Sequence, residues 1–167
     1  KALQGDPNGT ISGASIPGLK EIAEEYEGTQ TGAVAALLAG NAMILENNSE
    51  EAKKMFELAL DSESKIIVSG ANAGIGACYE NKGEYAQAAK YYENAAVFAE
   101  TPEIKEKFNY YAALAYEHNG DKDKAHEKYN KIIKENKENS NCDENFKTSF
   151  GDFRKKFVNF CIREIET

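Results

Sequence analysis

The sequence predicts an all-α fold: a stack of antiparallel helix pairs with a capping helix at its C-terminal end. Three observations carry that expectation. The span between Pro17 and Pro102 contains no proline, which favours helix throughout. Within Asn72–Ala96, small residues (Gly76, Ala88, Ala95) alternate with aromatics (Tyr79, Tyr85, Tyr92) at helical spacing around a turn at Lys82-Gly83. That pattern of close crossing and aromatic wedge then recurs on both sides.

The totals set the bounds. A chain of 167 residues is long enough for one domain with a real core. Hydrophobic residues make up 41% and charged residues 29%, the balance of a folded chain rather than a disordered one. The net charge of -8 argues against nucleic acid as a partner, since a phosphate backbone calls for surplus Lys and Arg. No apolar run reaches the ~18–20 residues that cross a bilayer. The chain starts at Lys1 rather than Met, so the lack of a leader says nothing, and any membrane tie would be an anchor before Lys1. Of three cysteines, Cys78 falls inside the repeat pattern as a small core residue. Cys142 and Cys161 are left either free or bridged.

Residues 1–17 carry turn chemistry in Gly5-Asp6-Pro7-Asn8-Gly9 and Ser12-Gly13. Asp6, Asn8 and Thr10 begin like a calcium loop, but Ile11 and Pro17 stand where Gly and Glu are needed. Leu19, Ile22, Ala23 and Tyr26 then predict a short helix ending at Gly28. This gives a turn-rich segment with a partial repeat over 1–30. The next helix spans 31–46, with Val34, Leu37, Leu38, Ile44 and Leu45 and small residues at Ala36, Ala39 and Gly40. Asn47-Asn48 breaks it, and Ser49 reads as the N-cap of a helix carrying Ala52, Met55, Phe56, Ala59 and Leu60. Helices follow over 66–82 and 84–99. Thr101-Pro102-Glu103 is a start signal of cap, proline and acid. The pair 102–119 and 121–135 breaks at Asn119-Gly120, with Asp121 as cap, and completes three pairs over 31–139. Glu135–Asn145 is polar and Asn-rich, a linker. Within 140–167, Phe146, Phe150, Phe153, Phe157 and Phe160 line one face of a last, capping helix.

Aligning the turns exposes the repeat. Asn47, Gly83 and Gly120 are separated by 36 and 37 residues. Beyond each turn stand Ala52, Ala88 and Ala125, then Phe56, Tyr92 and Tyr129, then Ala59, Ala95 and Ile132. Before each stand Gly40, Gly76 and Ala113, then Met43, Tyr79 and Tyr116. No pair buries both faces alone, so the pairs must stack.

These columns resemble the tetratricopeptide repeat family, in which units of about 34 residues are helix pairs with small crossing residues and aromatic wedges. The middle unit matches best, in Ile75, Gly76, Tyr79, Ala88, Tyr92 and Ala95. It lacks the terminal proline near Glu100, and Pro102 stands two residues late. The periods run two to three residues long, which implies lengthened helices. The resemblance implies a right-handed superhelical stack and a protein-binding role. The layout as a whole, with a Gly-rich entry and Leu19-Lys20-Glu21-Ile22-Ala23-Glu24-Glu25-Tyr26, more weakly resembles bacterial envelope-anchored proteins of the same family. That likeness favours a periplasmic or envelope-anchored setting over a cytoplasmic one.

Chemistry-bearing constellations are few. His118 and His126 are the only histidines and have no ligand partners at metal-site spacing. Gly70, Gly74 and Gly76 lack the Gly-Lys-Ser/Thr of a phosphate loop. No catalytic, cofactor-binding or metal residue is expected, and no cofactor. The family resemblance instead places a concave groove on the first helices, lined by Leu37, Asn41 and Ile44, by Ala73, Ala77 and Glu80, and by Tyr110, Leu114 and Glu117. Members of the family that clamp the C-terminal carboxylate of heat-shock chaperones need Lys, Arg and Asn on these columns, and only Asn41 matches. An apolar lining with acidic edges suits an apolar or amphipathic protein segment. The expectation is therefore a non-catalytic interaction scaffold. A small-ligand pocket is the alternative, as is membrane-surface binding through residues 146–167, which carry a charge of +2 against -10 for the rest.

Overall fold

The computed structural model describes residues 10–11, 14–15 and 18–138, with side chains from Gly18 to Glu135. A short antiparallel ladder comes first: β1 (Thr10–Ile11) pairs with β2 (Ala14–Ser15), with Thr10 opposite Ser15. The turn-rich composition foresaw no strands here. Ser12-Gly13, a turn-forming dipeptide, stands between them in sequence.

Seven helices follow among the described residues: α1 (Leu19–Glu25), α2 (Gln30–Leu45), α3 (Ser49–Ala59), α4 (Lys65–Asn81), α5 (Tyr85–Phe98), α6 (Pro102–His118) and α7 (Lys122–Glu138). In chain order the helices fall into α2/α3, α4/α5 and α6/α7, with α2 packed on α3, α4 on α5 and α1 on α2. Lys1–Ile132 form one compact unit and Ile133–Thr167 a second. The Phe-striped helix, Cys142 and Cys161 lie outside the described residues. So does most of the expected linker, but α7 runs through its first residues to Glu138. Glu135, Lys137 and Glu138 look like linker by polarity, yet Lys and Glu are good helix formers.

Each pair closes on the same turn. Asn47, Gly83 and Gly120 have φ of 60°, 76° and 84°, the left-handed conformation that ends a helix at least cost with Gly or Asn. The next amide in each case donates back to the same column: Asn48 to the Met43 carbonyl, Glu84 to Tyr79 and Asp121 to Tyr116, all at 2.9 Å. Side chains cap the starts of α2, α3 and α6. The Thr101 hydroxyl accepts from the Ile104 amide at 3.3 Å, and Thr29 does the same for Gly32 at 3.1 Å. The cap of α3 is Asn48 rather than Ser49, with Oδ1 accepting from the Glu51 amide at 3.4 Å. Ser49 is instead the first helical residue, and its hydroxyl accepts from Asn81 Nδ2 at 3.2 Å, tying α3 to the end of α4.

The wedges fill the crossings as the columns demand. Phe56 is fully buried, with its ring against both Gly40 of α2 and Gly74 of α4. A Cβ on Gly40 would meet Cε1 at 2.6 Å, and one on Gly74 would meet Cζ at 2.4 Å, so only glycine admits the ring on either side. Tyr92 repeats the first of these contacts on Gly76. Towards the next pair it faces Tyr111 of α6 at 5.5 Å between centroids, where Phe56 found Gly74. Cys78 is fully buried and free, and burial pushes its thiol up to about 11, as a core cysteine requires. Two buried polar side chains on α4 are satisfied by main chain: Ser69 donates to the Ala95 carbonyl at 2.8 Å, and Asn72 to Val68 at 2.9 Å. Their counterparts one repeat later, Glu106 and Asn109, are buried too.

Candidate interaction groove

The nine residues expected to line a groove share one pattern of exposure. None is in the core. Leu37, Ile44, Ala73, Ala77, Tyr110, Leu114 and Glu117 are half-buried, and Asn41 and Glu80 are exposed. The residues beside them on the same helices are buried: Ala36, Ala39 and Gly40 on α2, Ile75, Gly76 and Cys78 on α4, and Ala112, Ala113 and Tyr116 on α6. Spacing of three and four along each helix therefore keeps one stripe open on all three first helices.

Two of the nine, Leu37 and Tyr110, contact neighbouring helices or rings of the stack. Leu37 lies against Gly70 of α4, where an added Cβ would stand 3.3 Å from its Cδ1. The Tyr110 ring sits 6.2 Å from Tyr129 and 6.1 Å from Tyr111. Gly70, Gly74 and Gly76, grouped in the sequence like a phosphate loop, thus face Leu37, Phe56 and Tyr92 respectively.

Two of the nine, Glu80 and Glu117, are held in place by tyrosines. Tyr92 donates its hydroxyl to Glu80 Oε2 at 2.6 Å, and Tyr129 donates to Glu117 Oε2 at 3.0 Å. Donor and acceptor are twelve residues apart in both units. The first unit has Ile44 and Phe56 at these positions, so the carboxylate and the hydroxyl are lost together and an apolar pair replaces them. Burial, and then the Glu80 carboxylate, push the Tyr92 phenol far above its usual range. Tyr116 rises to about 12 through burial and Glu93, to which it donates at 3.1 Å; Glu93 also pairs with Lys128 at 2.6 Å. Sequence reasoning missed these bonds. The recurring twelve-residue spacing, with both members changing in the first unit, was the signal.

Elsewhere, His118 is exposed and stacks on Tyr85 with centroids 5.1 Å apart. Among the described residues no group of His, Cys, Asp and Glu is placed to hold a metal, and no helix is long and apolar enough to cross a membrane. A cleft of about 320 Å³ opens between Gly28–Gln30 and Asp61–Glu63, and none of the nine residues lines it.

Comparison with known proteins bears on the same helices. No curated protein matches the chain. Residues 109–139, in α6 and α7, match the family model of the tetratricopeptide repeat. The match falls on the third pair, whereas the sequence columns fit best in the middle one. With Gly40, Gly76 and Ala113 in one column and Phe56, Tyr92 and Tyr129 in another, the three pairs form an all-α stack of the tetratricopeptide-repeat kind.

Proposed function

We propose that this chain is a non-catalytic scaffold that holds an apolar or amphipathic protein segment against the open stripe of α2, α4 and α6. A protein–protein interaction role is what the repeat itself suggests. The supporting observation for the place is the shared exposure pattern: Leu37, Ala73 and Tyr110, with the residues one and two turns on, stay out of the core on three successive first helices. Three stripes of this kind on successive first helices suit helix-in-groove binding, in which a few apolar anchors supply most of the affinity.

A photo-crosslinking residue at Ala77 tests the reading, with one at the exposed Asn94 of α5 as control. Partners should be captured from Ala77 and not from Asn94. Leu37→Glu and Tyr110→Ala should each abolish that capture. Equal capture from both positions, or capture indifferent to both substitutions, rejects the groove.

A further inference from the structure

The chemistry of the occupant follows from the third row of the stripe, and this inference rests on the groove reading above. The row is Ile44, Glu80 and Glu117. Among the described residues neither carboxylate has a Lys or Arg partner. Each instead accepts one tyrosine hydroxyl, which fixes its orientation while leaving most of its acceptor capacity unused. A carboxylate already oriented loses little freedom when a cation docks on it. One turn and two turns back, the same helices offer Ala73 and Ala77, and Tyr110 and Leu114, all half-buried. At the start of α6 the exposed charges are of both signs, Glu103 and Lys107, with Lys107 Nζ 5.8 Å from the Tyr111 ring centre. On α2 the row carries no charge: Val34, Leu37 and Ile44 are apolar and Asn41 between them is neutral.

We infer that the groove takes a cationic amphipathic protein segment, laid with its basic side chains on Glu80 and Glu117 and its apolar end over α2. Charge complementarity sets both the sign and the direction. A chain of net charge -8 draws in a basic segment, and the two oriented carboxylates decide where its charges rest. An acidic segment would meet Glu80 and Glu117 with nothing on that row to neutralise it.

The test uses the full chain and two labelled synthetic peptides with the same apolar pattern, one built of Leu and Lys and the other of Leu and Glu, read by fluorescence anisotropy. The Leu/Lys peptide should bind and the Leu/Glu peptide should not. Glu80→Gln with Glu117→Gln should weaken binding about ten-fold, and raising the salt should erase most of that difference. Gln keeps an acceptor for each tyrosine, and an unchanged far-UV dichroism spectrum verifies the fold of the variant. Glu25→Gln with Glu100→Gln makes the same change in net charge at exposed sites off the stripe, and should leave affinity within about two-fold. The inference is overturned if the Leu/Glu peptide binds as well, if neither peptide binds, or if the control pair weakens binding as much as the groove pair. In each of those cases crosslinking from Ala77 still judges the groove independently, because it needs no assumption about charge.

Discussion

Alanine at position 74 tests whether Phe56 is clamped between two helices. In a helix interior, Gly→Ala ordinarily stabilises by about 1 kcal/mol. Here the new Cβ would stand 2.4 Å from Phe56 Cζ, 2.5 Å from Cε2 and 2.6 Å from Cε1. Carbon atoms settle at about 3.5–4.0 Å, so the ring would have to retreat by about 1 Å. Its other side rests on Gly40, where even a Cβ would come within 2.6 Å of Cε1, so there is backbone rather than space behind it. Overpacking a core in this way costs about 1–3 kcal/mol, and the clamp places this case at the upper end. Net of the propensity gain, Gly74→Ala should destabilise by about 1–2 kcal/mol, a fall in Tm of about 2–8 °C for a chain of this length. Phe56→Leu removes the ring, so the same alanine should cost less in that background, and the double-mutant cycle should show coupling of about 1 kcal/mol or more. Urea unfolding followed by far-UV dichroism measures all the variants. If Gly74→Ala leaves the parent chain as stable or makes it more so, the ring is not clamped and the reasoning fails.

Further outcomes follow from the turns, caps and hydroxyls. Tyr92→Phe keeps the ring on Gly76 but loses the hydrogen bond to Glu80, and should cost about 1 kcal/mol in urea unfolding. Tyr92 and Tyr116 have phenol pKa values raised above the unfolded value of about 10, so their contribution is complete below that pH and is lost as pH rises through the folded values. Stability should therefore hold from about pH 7 to 9 and fall above about 10, less steeply in Tyr92→Phe, as a pH series of melts will show. Gly83→Ala and Gly120→Ala meet no neighbouring atoms, so each should cost only the left-handed backbone term of about 1–2 kcal/mol. Asn48→Ala should cost about 1 kcal/mol as a lost cap, more than Ser49→Ala, and thermal melts of the two single variants decide which residue caps α3.

The columns that sequence could read were those set by one pair alone. Gly40 with Phe56 and Gly76 with Tyr92 meet within a unit, and their separation in sequence is nearly constant. Asn47, Gly83 and Gly120 were legible because a left-handed residue ends each first helix and few residue types tolerate that conformation. Contacts between units were not. Gly74 against Phe56 and Gly70 against Leu37 depend on how far one pair is displaced along the next, which no local spacing encodes. The cap of α3 was missed because Asn48 and Ser49 are both good caps side by side, and the choice rests on Ser49 being needed by Asn81. Of the nine candidate residues, the partial exposure follows helical period along each first helix. The tyrosines that hold Glu80 and Glu117 lie on the second helices, outside any stripe read along the first.

The three glycines of α4 bear on the order of folding. Gly70, Gly74 and Gly76 together lower the intrinsic helicity of that segment by about 3 kcal/mol relative to alanine. Taken alone, α4 is a poor helix, and it becomes one only when Leu37, Phe56 and Tyr92 arrive to occupy what the glycines leave open. Those side chains come from α2, α3 and α5, on both sides of it. The middle of the stack is thus poorly able to nucleate by itself. The chain would fold inward from its better helix-formers, with α4 consolidating last as its neighbours close around it.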